Sequence, residues 1–344
     1  MVNWKEVIQI AKEEASNYYY KHQIPLTLRG LFYILVSKNI IPNTKNYYIS
    51  LSRNLAYARY IGEFPYYLIH DKVREVSWGD IGYSISDANK VLEELNNLTP
   101  QKKEEIIKNY LKSRYSIKLS QWENQKHRVI LFIEKDALYD IIYDIVRHKL
   151  GWDVTIACSR GFESASEVFK IAKHINKLRK DGIKPVLLLI YDFDPSGEYA
   201  SIRDLVFRVL AIAKNNDISK LLDKWENASE EKKSQLVESL ANELNVTYKK
   251  IMLTYEQVLK YNIPPTPESQ EAIEKLKRDP RKNWFVEKYG NLYQAEVDAL
   301  ISLNINEAIK IIDNEIKQFF DFKIYEEVKK KEEELKKQVE EKLK

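Results

Sequence analysis

The sequence predicts an α/β fold: a doubly wound parallel sheet preceded by a helix-rich N-terminal module. Two apolar runs carry the first half of that expectation. Residues 129–133 and 186–190 show no polar alternation, the pattern of strands buried on both faces inside a parallel sheet. Each run ends in acids and is followed by a helical pattern. A third strand candidate, 152–158, lies between them, giving the order β–α–β–α–β–α over residues 129–213.

The N-terminal module reads as three helices. Asn3 can cap a helix over 4–20, and Ile24-Pro25 breaks it. Thr27 caps a second helix over 28–37, with Leu28, Leu31, Phe32 and Leu35 on one stripe. A turn at Pro42 leads to a third helix over 46–60, with Tyr47, Leu51, Leu55 and Ala58 inward and Ser50, Arg53, Asn54 and Tyr57 outward. Gly62 ends it, and an aromatic extended segment, 64–69, follows. Three helices and an extended segment fit a winged-helix (CAP-like) domain, with the third helix as groove reader and Lys45, Arg53 and Arg59 as DNA contacts. A plain helical module with a solvated basic face fits the same pattern.

Domains are expected at 1–75 (winged helix), 76–127 (helical connector), 128–300 (metal-binding sheet) and 301–344 (charged helices). A fourth strand is expected over 249–254. The Lys/Glu alternation over 325–344 reads as a solvated or oligomer-facing helix.

Composition narrows the function classes. Cys158 is the single cysteine, so no intrachain disulfide forms, and with five His a zinc site is not expected. No signal peptide and no apolar run of membrane-spanning length (about 18 residues) stands out, so a cytoplasmic protein with no membrane partner is expected. The net charge is only +4, yet residues 20–74 hold eight Lys/Arg against Glu63 and Asp71. A basic module beside an acidic one suits an enzyme acting on a polyanion.

The acids carry the chemistry. Asp192 and Asp194 alternate at a strand end, so both carboxylates can face one point. Carboxylate oxygens at the carboxyl end of a parallel strand suit Mg²⁺. The competing reading is a polar loop whose Asp caps the next helix. Glu134, at the end of the 129–133 run, adds a third acid.

These stretches resemble a family. Ile133-Glu134-Lys135-Asp136, Arg160-Gly161-Phe162 and Asp192-Phe193-Asp194-Pro195-Ser196-Gly197 look like a Toprim domain, a Rossmann-like parallel sheet. They look more specifically like the version in the A subunit of topoisomerase VI and in the meiotic double-strand-break transesterase. Arg29-Gly30-Leu31-Phe32-Tyr33 matches the Arg-x-x-Tyr/Phe-Tyr motif of their winged-helix domain. The stretch from Gln294 to Leu300 resembles one that follows their Toprim domain, although Glu296 and Asp298 also read as exposed carboxylates of an amphipathic turn, without function. Chain length is similar to that of stand-alone "mini-A" relatives from archaeal mobile elements.

The resemblance implies a DNA-cleaving transesterase acting on double-stranded DNA as a homodimer. Tyr33 is then the nucleophile, working at the partner protomer's metal site and leaving 5′-phosphotyrosyl ends. Arg29 stabilises the phosphate, and Phe32 is the buried neighbour. Tyr47, Tyr48 and Tyr57 are rivals without the motif. Glu134, Asp192 and Asp194 hold Mg²⁺, with Mn²⁺ as substitute, and Glu134 doubles as general acid/base. Glu198 adds an outer contact, and Lys135 and Arg160 reach phosphates. Only 32 residues precede Tyr33 and no Gly-rich nucleotide motif occurs, so docking to an ATPase B-type subunit looks reduced and ATP-driven strand passage by this chain alone is not expected. A hydrolytic Toprim nuclease and a non-catalytic DNA-binding replication or mobile-element factor are the alternatives.

Overall fold

The computed structural model describes residues 2–70, 90–158 except 91 and 95, 165–200, 205–214, 218–267 and 281–342. It divides into two compact units: residues 1–72 with 126–320, and residues 73–125 with 321–344.

The first unit is built on a four-stranded, all-parallel sheet. Its strands are β3 (His127–Ile133), β4 (Thr155–Cys158), β5 (Lys184–Ile190) and β6 (Thr247–Met252), ordered β4-β3-β5-β6. β3 and β5 run in register from His127↔Lys184 to Ile133↔Ile190. Residues 129–133 and 186–190 are buried throughout, as an apolar run without alternation requires when both faces are covered. Helices α6 (Ala165–Lys180), α8 (Val206–Lys214) and α10 (Glu230–Leu244) supply the apolar cluster on one face. Near the sheet lie α5 (Asp136–Tyr143), its π-helical continuation Asp144–Lys149, and α14 (Ile305–Lys317). Ile305, Ala308, Ile312 and Ile316 form the buried stripe of α14. That stripe corrects the boundary expected at 300: the chain stays with the sheet to Phe320.

The N-terminal helices also belong to this unit. They are α1 (Trp4–His22), α2 (Leu28–Ser37) and α3 (Lys45–Tyr60). Thr27 caps α2 by accepting from the Gly30 amide, and Thr44 caps α3 by accepting from the Tyr47 amide. α2 is buried from Gly30 to Leu35, so both Phe32 and Tyr33 are core residues; the expectation that Phe32 alone was the buried member is corrected. Its neighbour is α13 (Val297–Leu303). Gly30 permits this approach, since a Cβ there would stand 3.1 Å from the Ser302 Cβ.

The 64–69 segment does not project as a wing. Phe64 and Leu68 are buried, Tyr66–Leu68 makes a 3-10 turn, and β2 (Ile69–His70) pairs in parallel with β1 (Leu26–Thr27). Its apolar residues anchor it inward.

In the second unit, α4 (Pro100–Arg114) buries no residue, and α15 (Phe322–Lys342) is the predicted Lys/Glu helix. The expected connector and the C-terminal helix are tied together here: Glu332 accepts from the Leu119 amide at 2.8 Å, and the Gln125 side chain bonds both ways with the Asp321 backbone at 2.8 Å. Among the described residues no helix is long and apolar enough to cross a membrane.

Candidate active site at the sheet's carboxyl edge

In order of appearance the strands run 2-1-3-4, so the order reverses between β3 and β5. The crevice beyond the carboxyl ends of such a strand pair is where open α/β sheets bind ligands. Glu134 follows β3 and Asp192 follows β5. A Glu134 carboxylate oxygen accepts from the Asp192 amide at 2.8 Å, which fixes the two strand ends to each other.

The Asp192–Gly197 turn is held by its own side chains. Asp194 accepts from the Gly197 amide at 2.5 Å, capping the short helix α7 (Pro195–Ala200). Gly197 is required: a Cβ there would lie 2.1 Å from the Asp192 carbonyl oxygen. Phe193 pairs with Ala295 through two backbone bonds of 2.9 Å, drawing residues 294–297 against the turn. Asp192 Oδ1 then accepts from the Val297 amide at 2.9 Å, at the start of α13.

That pairing overturns the exposed placement expected of Glu296 and Asp298. Both are buried, at 8% and 4% exposure. Lys135 Nζ lies among them, 2.6 Å from Asp192 Oδ2, 3.1 Å from Glu296 Oε1 and 3.5 Å from Asp298 Oδ2. The other Glu296 oxygen accepts from the Tyr33 hydroxyl at 2.7 Å and pairs with Arg29 Nε at 3.1 Å. The Arg29 guanidinium also lies over the Tyr48 ring, 4.2 Å from its centroid. Thr27 donates to Asp298 at 2.7 Å while capping α2, so one hydroxyl ties the starts of α2 and α13 together. Four separated sequence stretches thus converge on one buried cluster.

Its electrostatics are unbalanced. Burial pushes Asp192 up to about 8, against the pull of Lys135 and with Glu134 and Glu296 adding to the rise. Burial, with Asp194 nearby, also raises Glu134. Glu296 goes the other way: burial opposes its charge, but Lys135 and Arg29 outweigh burial and hold it below the usual carboxylate range. Burial and the Glu296 carboxylate raise the Tyr33 phenol well above its ordinary value. Lys135 keeps its proton firmly, because three acids outweigh its burial. A raised phenol bonded to a low-pKa carboxylate stays protonated, so Tyr33 is not an activated nucleophile in this arrangement.

The sequence-predicted residues divide accordingly. Tyr33, Arg29, Glu134, Lys135 and Asp192 are brought to one edge. Tyr33 is 0% exposed and bonded to its own chain's Glu296. Lys135, expected at a phosphate, instead neutralises acids. Asp136 turns toward β4, where it accepts from Cys158 at 2.9 Å. Glu198 is buried in an ion pair with Lys250 at 2.5 Å. Arg53 is exposed on α3, with Lys45 and Arg59 half-buried on the same helix. Arg160 lies outside the described residues. Sequence reasoning missed the place of Thr27, Glu296 and Asp298 in the site, and missed Lys250 altogether; the resemblance over 294–300 was the signal for Glu296 and Asp298.

The acids do not fit a Mg²⁺ ion as they stand. Asp192 spends one oxygen on Val297 and the other on Lys135, and Asp194 faces the Gly197 amide. Among the described residues no three His, Cys, Asp or Glu side chains are grouped as metal ligands. Comparison with known proteins adds no family: no family model, no curated protein and no solved structure matches the chain.

Proposed function

We propose that the chain is a DNA-cleaving transesterase of the type IIB topoisomerase A-subunit kind, with Tyr33 as nucleophile, seen in a closed state. The observation that carries this reading is the meeting of Tyr33 and Arg29 with the strand-end acids at the reversal point of a parallel sheet, through Glu296 and Lys135. The helix order of the N-terminal module and the exposed Arg53 on α3 support a role of the third helix in holding duplex DNA, and the strand order supports a Toprim-like sheet.

In the closed state the phenol donates to Glu296 and the cation at the acids is Lys135. Cleavage on this reading requires DNA to draw Tyr33 and Arg29 away from Glu296. Arg29 then faces the phosphate that Tyr33 attacks, and in a homodimer the tyrosine serves the partner protomer. A Mg²⁺ or Mn²⁺ ion would need Lys135 to leave Asp192; Glu134, Asp192 and Asp194 would then be the residues to hold it, and it would supply positive charge to the phosphate. The test is incubation with supercoiled plasmid and either ion, followed by detergent. A protein–DNA adduct in the wild type that disappears in Tyr33→Phe is the expected result.

The full burial of Tyr33 favours a second reading, a hydrolytic nuclease using the acids alone. Its signature is free DNA ends that survive Tyr33→Phe and vanish in Asp192→Ala.

A further inference from the structure

Away from the acid cluster, α6 carries a second charged feature that the proposed chemistry does not use. Its buried stripe, Val168, Ala172, Ile175 and Leu178, faces the sheet. Beside that stripe run Lys170, Lys173, Lys177 and Lys180, all exposed, at spacings of three, four and three residues. They span about 15 Å of helix at 1.5 Å per residue. No acid occurs between Val168 and Lys180, and among the described residues none of the four lysines has an ion-pair partner.

The opposite arrangement is found in α15, where lysines alternate with glutamates and pair with them, as in Lys331–Glu334 and Lys336–Glu332. Lys177, Arg179 and Lys180 lie in the last turn of α6, where positive charge suits the helix dipole. Lys170 and Lys173 lie earlier, where the dipole gives them no such support, and like charges three and four residues apart repel.

The lysines line a groove of about 640 Å³ together with Phe169 and with Ile212 of α8. Phe169 is 57% exposed. His174 also lines the groove, and its Nε2 atom is buried without a hydrogen-bond partner. A cationic track beside an exposed aromatic ring is the arrangement that binds a single nucleic-acid strand, phosphates on the lysines and a base on the ring.

We infer that the α6 groove binds single-stranded nucleic acid. This goes beyond the proposed cleavage chemistry and rests on that reading only for its choice of polyanion. The test uses the full-length protein and a fluorescently labelled oligonucleotide of about 20 nucleotides, as single strand and as duplex, titrated across a salt series. Changing Lys170, Lys173, Lys177 and Lys180 together to Gln is expected to weaken single-strand binding at least tenfold. The same variant should flatten the salt dependence by about 2–3 in log–log slope, at about 0.7 per phosphate contact. Phe169→Ala is expected to weaken the single strand about tenfold and leave the duplex unchanged. A control changing Lys329, Lys330, Lys331 and Lys336 to Gln should leave binding intact. Equal losses from the control and the α6 variant, an unchanged salt slope, or no binding by the wild type would overturn the inference. The outcome is independent of adduct formation, so a failure here is distinguishable from a failure of the tyrosine chemistry.

Discussion

Two buried ionic clusters flank the Asp192–Gly197 turn, and they differ in charge balance. On one side Glu198 meets Lys250 at 2.5 Å, Lys288 at 3.6 Å and the Tyr289 hydroxyl. One acid faces two cations, and they hold Glu198 below its usual range although burial alone would raise it. On the other side, among the described residues, Asp192, Glu296 and Asp298 share Lys135, Arg29 pairs with Glu296, and burial with neighbouring acids raises Asp192 and Glu134. Both clusters are buried to a similar degree, so burial does not distinguish them. The direction of the shift does: the cations around Glu198 outweigh its burial, whereas Asp192 and Glu134 are raised at a strand-reversal crevice, where perturbed carboxyls mark a candidate site.

The largest effect should come from the two lysines. Lys135→Met leaves three acids without their shared cation and should cost about 3–5 kcal/mol. Lys250→Met leaves Glu198 with Lys288 and Tyr289 and should cost less. Urea unfolding measures both, and equal losses would erase the distinction between the clusters.

Neutralising one acid in each cluster sharpens it. Glu198→Gln should cost about 1–3 kcal/mol, because it strips charge from a partnered buried site. Glu134→Gln keeps an oxygen for the Asp192 amide and relieves repulsion, so its stability should lie within about 1 kcal/mol of the wild type, on either side. A loss at Glu134 as large as that at Glu198 would mean the first cluster is balanced by groups other than Lys135 and Arg29.

The smallest effect is a pH slope from Glu296. Its folded pKa is depressed, so the unfolded chain holds more protons in the acid range. Its contribution is therefore complete above the unfolded value of about 4.3 and is lost as pH falls through the folded value. Glu296→Gln should make the decline in stability between about pH 5 and pH 3 shallower. An unchanged decline would mean that Glu296 is not ionised in the native protein.

Much of this was legible in the sequence. The apolar runs 129–133 and 186–190 announced central parallel strands, and Thr27 caps α2 as its position before the apolar stripe indicated. Gly197 lies where only glycine fits against the Asp192 carbonyl. The burial of Glu296 and Asp298 was hidden, because amphipathic periodicity places a carboxylate outside unless a partner from elsewhere receives it. Here the partners come from residues 27–33 and 135, and the Phe193–Ala295 pairing, which no periodicity announces, draws residues 294–297 to the turn. The wing failed for a related reason: an aromatic extended segment reads the same whether it projects or anchors, and Phe64 and Leu68 anchor it. The domain boundary at 300 was misplaced because α14 and α15 both read as charged helices, while only α14 carries the strong apolar stripe.

The most direct measurement is to identify the residue linked to DNA. Protein trapped on plasmid with Mn²⁺ and detergent should be digested with nuclease and protease, and the nucleotide-bearing peptide sequenced by mass spectrometry. The account predicts a nucleotide adduct on Tyr33 in the wild type and none in Tyr33→Phe. An adduct on Tyr47, Tyr48 or Tyr57, or cleavage with no linked peptide, would contradict it.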